Sequence, residues 1–458
     1  MIPAIRLYFL LAIAIPIALL LAMLVNQQTS IIGTLLFDCL MVGLAITDAL
    51  RVKSHRVQVK RHPLHRLSIG RDNPVLLSVR SSPRAALTAN QTAKIRLRDS
   101  YPLEFDVSQP MLEADLNPNS DRELTYTIRP SNRGEYKWGD IQVRQLGNWG
   151  LAWNNWKIPA SEKVAVYPDL VMLKELSIRL TLENSGTMRG LRKLGIGTEF
   201  AELREYGIGD DPRLIDWKAT ARISRPLVRV LEPEKEQTLI VLLDRGRLMT
   251  ARVQGLKRFD WGVNAALSLA LAGLNRGDRV GVGVFDREIA TWIPPERGQH
   301  HHSKLIERLA PIQPVLLEPD YVGAVTKLVS QQTRRALVVL ITDLVDVTAS
   351  TEMLSALARL TPRYLPFCVT LRDPLVDQIA HTSTVEITPA YNRAVALDLL
   401  AQRQVAFAQL KQKGVLVLDA PANQISEQLV NRYLQLKSRN QLSSSQLPQH
   451  SQSKVKAL

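Results

Sequence analysis

The pattern of apolar and polar positions falls into three regimes, and each change marks a change of architecture. Residues 7–25 are almost wholly apolar, a run long enough to cross a bilayer as a helix. Asn26-Gln27-Gln28-Thr29-Ser30 is a short polar break, and Ile31 to Leu50 is a second run of crossing length, interrupted by Asp38 and Asp48. Residues 1–54 therefore predict a transmembrane helical hairpin. Over residues 55–175 the period falls to two, with short runs at 75–79, 94–97, 103–107, 123–128 and 141–143. Turn residues separate them at Ser81-Ser82-Pro83, Asn117-Pro118-Asn119 and Ser131-Asn132-Arg133-Gly134, which predicts a small all-β, sandwich-like domain. A charged segment follows at 176–232. From 233 to 438, fully apolar strands (238–243, 279–285, 336–342, 364–371, 415–418) alternate with helical stretches, the pattern of a mostly parallel sheet covered on both faces. Residues 439–458 are rich in Gln and Ser and predict a disordered tail.

Charge fixes the expected orientation. The chain holds 58 basic and 43 acidic residues, a net charge of +15. Arg51, Lys53, Arg56, Lys60, Arg61 and Arg66 follow the second apolar run with no acid among them; Arg6 precedes the first run, and the intervening loop is uncharged. By the positive-inside rule both ends lie in the cytoplasm, giving an inner-membrane protein with two spans and its bulk cytoplasmic. A signal peptide ending near residue 25 is the alternative; a single basic residue before the run and the second run after it argue against that. The basic collar fits lipid headgroups, so membrane lipid is an expected partner. Nucleic acid is not, because no basic groove interleaved with aromatics is present. Asp38, at a depth where a charge costs ~3 kcal/mol, either faces a partner helix or an oligomer contact, or sits protonated. Cys39 and Cys368 are the only cysteines, which excludes a disulfide framework. Trp138, Trp149, Trp153 and Trp156 serve either ligand stacking or packing against the sheet or the next domain.

Two of the apolar strands end in aspartate, Asp244 and Asp343, at the edge where open α/β sheets bind ligands. The order of elements resembles the von Willebrand factor A fold, whose metal site uses Asp-x-Ser-x-Ser, a threonine and a later aspartate. Here the first motif reads Asp244-Arg245-Gly246-Arg247-Leu248, without either serine, and Asp320 falls near the threonine loop. Two readings follow. Asp244, Asp320 and Asp343 supply three oxygens to Mg2+, or Arg245 and Arg247 neutralise the acids without a metal. The first reading supports an alternative function as a metal-dependent hydrolase. Otherwise no cofactor is expected: there is no Walker A sequence and no Gly-x-Ser-x-Gly elbow, and Gly281-x-Gly283 lies inside a strand. His300-His301-His302 lacks supporting ligands and reads as exposed histidines before a helix.

The densest motif runs from Gly195 to Arg222. Phe200, Leu203 and Tyr206 recur at helical spacing with Glu199, Glu202, Arg204 and Glu205 on the wet side, and Gly207 reads as a helix stop. Asp211 before Pro212 reads as the cap of a second helix that turns Ile215, Trp217 and Ala221 inward. No nucleophile–base pair is present, so the segment predicts a docking surface rather than an active site, and the chain is not expected to be an enzyme. Glu199, Phe200, Arg204, Glu205, Tyr206, Asp210, Asp211, Arg213, Asp216, Trp217 and Arg222 are the candidate partner-binding residues.

This stretch closely resembles the signature of the bacterial family called domain of unknown function 58. The resemblance extends to the N-terminal hairpin, to Arg133-Gly134-x-Tyr136-x-x-Gly139 and to the terminal helix ending Tyr433-Leu434-x-Leu436-Lys437. It implies a degenerate von Willebrand factor A-like domain and a membrane-anchored adaptor that works with a MoxR-type AAA+ ATPase in protein maturation, complex assembly or stress response.

Overall fold

The computed structural model describes residues 2–24, 27–54, 56–64, 66–81, 92–117, 120–187, 199–207, 210–232, 237–344, 351–382 and 387–438. The expected turn residues at 82–83 and 118–119, the opening of the signature at 195–198 and the tail at 439–458 fall outside them. The chain forms two compact units, Met1–Tyr167 and Pro168–Leu458.

The first unit opens with a two-residue strand β1 (Ile2–Pro3), then helices α1 (Ile5–Leu24) and α2 (Gln27–Ser54). Among the described residues, Ile31–Lys53 in α2 is the one stretch long and apolar enough to cross a membrane, and α1 contributes a shorter apolar run, Ile5–Ile17. Leu35, Leu36 and Leu40 are each more than half exposed rather than packed in protein, which marks α2 as the membrane-associating element. Asp38 is half-buried, and one of its carboxyl oxygens finds no partner among the described residues.

Eleven further strands follow: β2 (Gln58–Arg61), β3 (Leu67–Ser68), β4 (Asn73–Arg80), β5 (Ala93–Asp99), β6 (Phe105–Val107), β7 (Leu112–Leu116), β8 (Asp121–Pro130), β9 (Gly134–Trp138), β10 (Ile141–Leu146), β11 (Ala152–Ile158) and β12 (Glu162–Tyr167). They form sheets ordered β1-β11-β10-β5-β7, β2-β4-β8-β6 and β3-β12-β9. Inward positions alternate along them, as on β4, where Val75, Leu77 and Val79 are buried. Arg61 does not join the headgroup collar. It is buried in this core, where its Nε donates to Asp99 Oδ2 at 3.0 Å and Tyr126 donates to the same oxygen at 2.7 Å. Trp138 is fully buried with Arg61 over its ring, so it takes the packing role. The glycines of the 133–139 motif have local reasons. Gly134 has φ +141°, and a Cβ on Gly139 would stand 2.7 Å from that of Ser100.

Asp48, an interruption of the apolar run in the sequence, is an anchor in the structure. Its fully buried carboxylate accepts the amides of Trp149 and Leu151, each at 3.1 Å, from the turn joining β10 to β11. Gly147 leaves room for it: a Cβ there would lie 2.2 Å from the Asp48 carboxyl carbon. Asp48→Ala is expected to destabilise this unit by ~2–3 kcal/mol through two orphaned amides, that of Leu151 buried and that of Trp149 partly so. Gly147→Ala should act in the same direction by steric exclusion. Urea melts of the detergent-solubilised chain check both.

The second unit begins with α3 (Leu170–Thr187) and the signature elements β13 (Glu199–Glu205), a 3-10 turn (Pro212–Leu214), α4 (Trp217–Ile223) and β14 (Leu227–Glu232). The α/β body follows: β15 (Thr238–Asp244), β16 (Arg252–Val253), β17 (Leu256–Lys257), α5 (Arg258–Asn275), β18 (Arg279–Phe285), β19 (Ile289–Glu296), α6 (Gln299–Leu309) and α7 (Tyr321–Gln331). It closes with β20 (Leu337–Thr342), α8 (Thr351–Leu360), β21 (Leu365–Arg372), α9 (Pro374–His381), α10 (Ile387–Gln412), β22 (Leu416–Pro421) and α11 (Ile425–Ser438). Its sheet runs β19-β18-β15-β20-β21-β22, parallel except for the edge strand β19. One core packs Leu239, Val241 and Leu243 of β15 against α5 and α11. The other packs Ile240 and Leu242 against α7, α8 and α10. Both faces are thus covered, and the expected α/β fold is observed. The terminal motif has a role too, because Tyr433 and Lys437 both donate to the buried carboxylate of Asp278 just before β18.

Candidate functional site

Two constructions in the second unit bring the sequence candidates together. The first is the carboxyl edge of the sheet. Asp244 ends β15, fully buried. Its Oδ1 accepts the Gly246 amide at 2.7 Å, and its Oδ2 accepts the hydroxyls of Thr342 at 2.7 Å and Tyr321 at 3.1 Å. Burial pushes its carboxyl above the usual range despite these donors. Asp343, just past β20, is claimed on both oxygens: Arg403 reaches Oδ1 at 2.9 Å and Arg258 reaches Oδ2 at 2.8 Å. Arg403 extends to Asp419 on β22 at 2.8 Å, so one guanidinium ties two strand ends. Desolvation works against its charge, but Asp343 and Asp419 outweigh it and raise its pKa above the ordinary value.

These residues do not fit a divalent cation. Asp320 is exposed and caps α7, accepting the Gly323 amide at 2.7 Å. A side chain at Gly246 would meet the Leu317 carbonyl oxygen at 2.8 Å, so a serine there has no room for its Cβ. No group of three or more His, Cys, Asp or Glu stands ready to hold a metal among the described residues. The expected trio of Asp244, Asp320 and Asp343 is therefore corrected: Asp343 binds arginine. The neutralising arginines differ from those expected as well. Arg245 pairs with Asp286 at 2.7 Å and Arg247 with Glu318 at 2.6 Å, while Arg258 and Arg403 serve Asp343. Sequence reasoning passed over Arg403, although it shares a helical face with Ala406, Phe407 and Leu410, and a cation on an apolar stripe calls for a buried acid. The histidines lie inside α6, and His301 is buried with Nε2 at 2.7 Å from the Val280 carbonyl.

The second construction is the signature. Residues 199–205 form a strand, not the expected helix, and pair antiparallel with β14. A bulge between Phe200 and Glu202 explains the misleading spacing: the extra residue puts positions 200 and 203 on one face of a strand, as i and i+3 would be on a helix. The acids organise the motif from within. Asp210 accepts Arg204 at 2.7 Å and the Gly207 amide at 2.7 Å. Asp211 accepts the Arg213 amide at 3.0 Å, but it caps only a three-residue 3-10 turn, not the helix expected to run on through Trp217, which begins separately at residue 217. Asp216 caps α4 through the amides of Lys218 and Ala219, each at 3.0 Å, and holds Arg229 at 2.8 Å. Glu205 pairs with Arg225 at 3.0 Å. Glu199 and Phe200 are placed by their backbone in β13.

What this frame offers outward is different. No residue of α4 is buried, and Trp217, expected inward, is 70% exposed. Ile223 is 59% exposed, and Tyr206, Arg213 and Arg222 are exposed as well. The motif thus presents an aromatic and apolar surface rimmed by cations on a short, ion-paired support.

A six-stranded sheet of this order, covered on both faces and bearing arginine at its acidic edge, defines a von Willebrand factor A-like domain without that fold's metal ligand set. Residues 202–411 match the family described as "Protein of unknown function DUF58", the family that the signature resembles. Uncharacterized proteins of Mycobacterium tuberculosis and Mycobacterium bovis are 28% identical to it over 151 residues, 32% of this chain. The chain spans about half the length of these curated relatives, 48%. Among solved structures, BatB from Bacteroides thetaiotaomicron is 13% identical with a TM-score of 0.30, the match covering 44% of this chain and 99% of that one. An aerotolerance-related membrane protein from Bacteroides fragilis is 13% identical with a TM-score of 0.28, covering 43% and 99%.

Arg403→Met should destabilise the chain by ~3–5 kcal/mol, because it leaves buried carboxylates short of a cation. A chelator should leave the melting temperature unmoved. Chemical and thermal melts read both. The signature should also loosen in acid. The Arg204 guanidinium holds Asp210 below the usual carboxylate range, and the Ala219 amide, then Arg229, does so for Asp216. A depressed folded pKa gives order that is complete above the ordinary value near 4 and lost as pH falls through the lowered values. Hydrogen exchange should show the Gly207 and Ala219 amides losing protection in that window and keeping it at neutral pH.

Proposed function

We propose that this chain is a membrane-anchored adaptor whose signature surface docks a partner protein, with no bond-breaking chemistry of its own. The observation that carries the reading is Trp217, 70% exposed on a helix none of whose residues is fully buried. A large exposed aromatic ring in a motif that also exposes arginines is the composition of an interface anchor. The acids around it are engaged in shaping the motif, so the outward charge is cationic, from Arg213, Lys218 and Arg222, and suits an acidic partner face. The family resemblance supplies the partner class, a MoxR-type AAA+ ATPase. The basic residues after the second apolar run support two spans with the bulk of the chain on the cytoplasmic side.

The motif's geometry selects the test residues. Ala at Arg204, Asp211 or Asp216 would disturb the support itself, whereas Trp217 and Arg222 offer their side chains outward. Trp217→Ala with Arg222→Ala should cut co-purification of the ATPase at least ~10-fold, the loss of one interface anchor, while the melting temperature stays within about a degree. Undiminished co-purification by the double variant would refute the assignment of this surface.

A further inference from the structure

We propose that the turn joining β10 to β11, with the adjoining end of its sheet, sits in the headgroup layer of an anionic membrane as a second, non-helical contact with the bilayer. The inference rests on reading α2 as a membrane span and adds a lipid-binding surface on the β-rich unit.

The depth of the turn is fixed by bonds. Asp48 lies inside the apolar stretch Ile31–Lys53, and its carboxylate holds the amides of Trp149 and Leu151 at 3.1 Å. Asn154 donates to the Ala49 carbonyl at 2.7 Å. The other helix is tied to the same place, since the Ala4 amide donates to the Leu151 carbonyl at 2.9 Å and Ile2 pairs with Trp153 across β1–β11. Asp48 precedes Lys53 by five residues, about 7–8 Å at the helical rise. A turn bonded to Asp48 therefore cannot stand clear of the level at which the span ends.

The side chains at that level suit headgroups. Trp149 is 40% exposed, and Arg51 lies over its ring at 4.5 Å; Arg96 lies over Trp153 at 4.8 Å. Tryptophan favours the membrane–water interface, and guanidinium groups bind phosphate. Arg96 also stands directly opposite Arg144 across β5–β10, a like-charge pairing that opposes folding unless an anion offsets it. Glu113, at 2.8 Å from Arg96, supplies one. A phosphate layer beside the sheet supplies the rest.

The test is depth-resolved quenching of tryptophan fluorescence in the full chain, reconstituted in vesicles with or without phosphatidylglycerol and doped with lipids brominated near the headgroup or near the chain ends. The difference between the native chain and Trp149→Phe isolates Trp149. Headgroup-proximal bromine should quench that component about twofold more than deep bromine, as interfacial burial requires. Phosphatidylglycerol should raise the effect, and Arg96→Gln with Arg144→Gln should remove the rise. A fluorophore on Leu36→Cys, in a Cys39→Ser background, reports the span independently. Deep quenching at residue 36 with none at Trp149 overturns the proposal and leaves the span standing; no quenching at either position overturns both. A phosphatidylglycerol effect reproduced by inorganic phosphate in neutral vesicles assigns the arginines to free anion and also overturns it.

Discussion

The α/β unit depends on one side chain that reaches across the end of its sheet. Parallel strands deliver Asp343 and Asp419 to the same edge, and burial in low dielectric makes neighbouring carboxylates mutually unfavourable. In the metal-binding form of this fold a divalent cation resolves the conflict. Here Arg403 resolves it from α10, with Arg258 completing the neutralisation of Asp343. A guanidinium differs from a metal in a way that matters for function. It is covalently part of the chain, its two terminal nitrogens are taken up by Asp343, the Leu344 carbonyl and Asp419, and it leaves no open coordination position. The edge is thereby closed by a cross-brace of the chain's own side chains.

Other buried acids of the described residues are also met by donors from distant segments. Asp99 takes Arg61 and Tyr126 inside the β-rich unit, Asp278 takes Tyr433 and Lys437, and Asp48 takes two backbone amides. Each acid joins segments far apart in sequence, so each acts as a register pin as well as a satisfied charge.

The architecture was legible where periodicity is strong. The apolar strands ending in Asp244 and Asp343 could be read directly, because a strand buried on both faces has no polar positions to confuse it. Residues 199–205 were misread because a bulge reproduces helical spacing, and only pairing with residues 227–232, some two dozen positions away, reveals the strand. The arginine brace was hidden for a related reason: Arg258 and Arg403 are remote in sequence from the acid they serve, and spacing arguments see only neighbours. Asp48 looked like a flaw in an apolar run because its partners lie about a hundred positions on.

The signature shows why a dense motif can mislead about which of its members act. Asp210, Asp211 and Asp216 stand out in the sequence, yet each is spent on a cap or an ion pair within the motif. These contacts hold a short hairpin and a seven-residue helix in shape; among the described side chains of these elements, only Leu227 and Val228 are buried. A helix so short is marginal alone, so its caps are the condition for its existing at all. In the proposed docking role, recognition falls to the residues the frame displays, above all Trp217. An aromatic ring held in water by a rigid, ion-paired support loses little conformational entropy when a partner covers it, so most of its burial is available as binding energy.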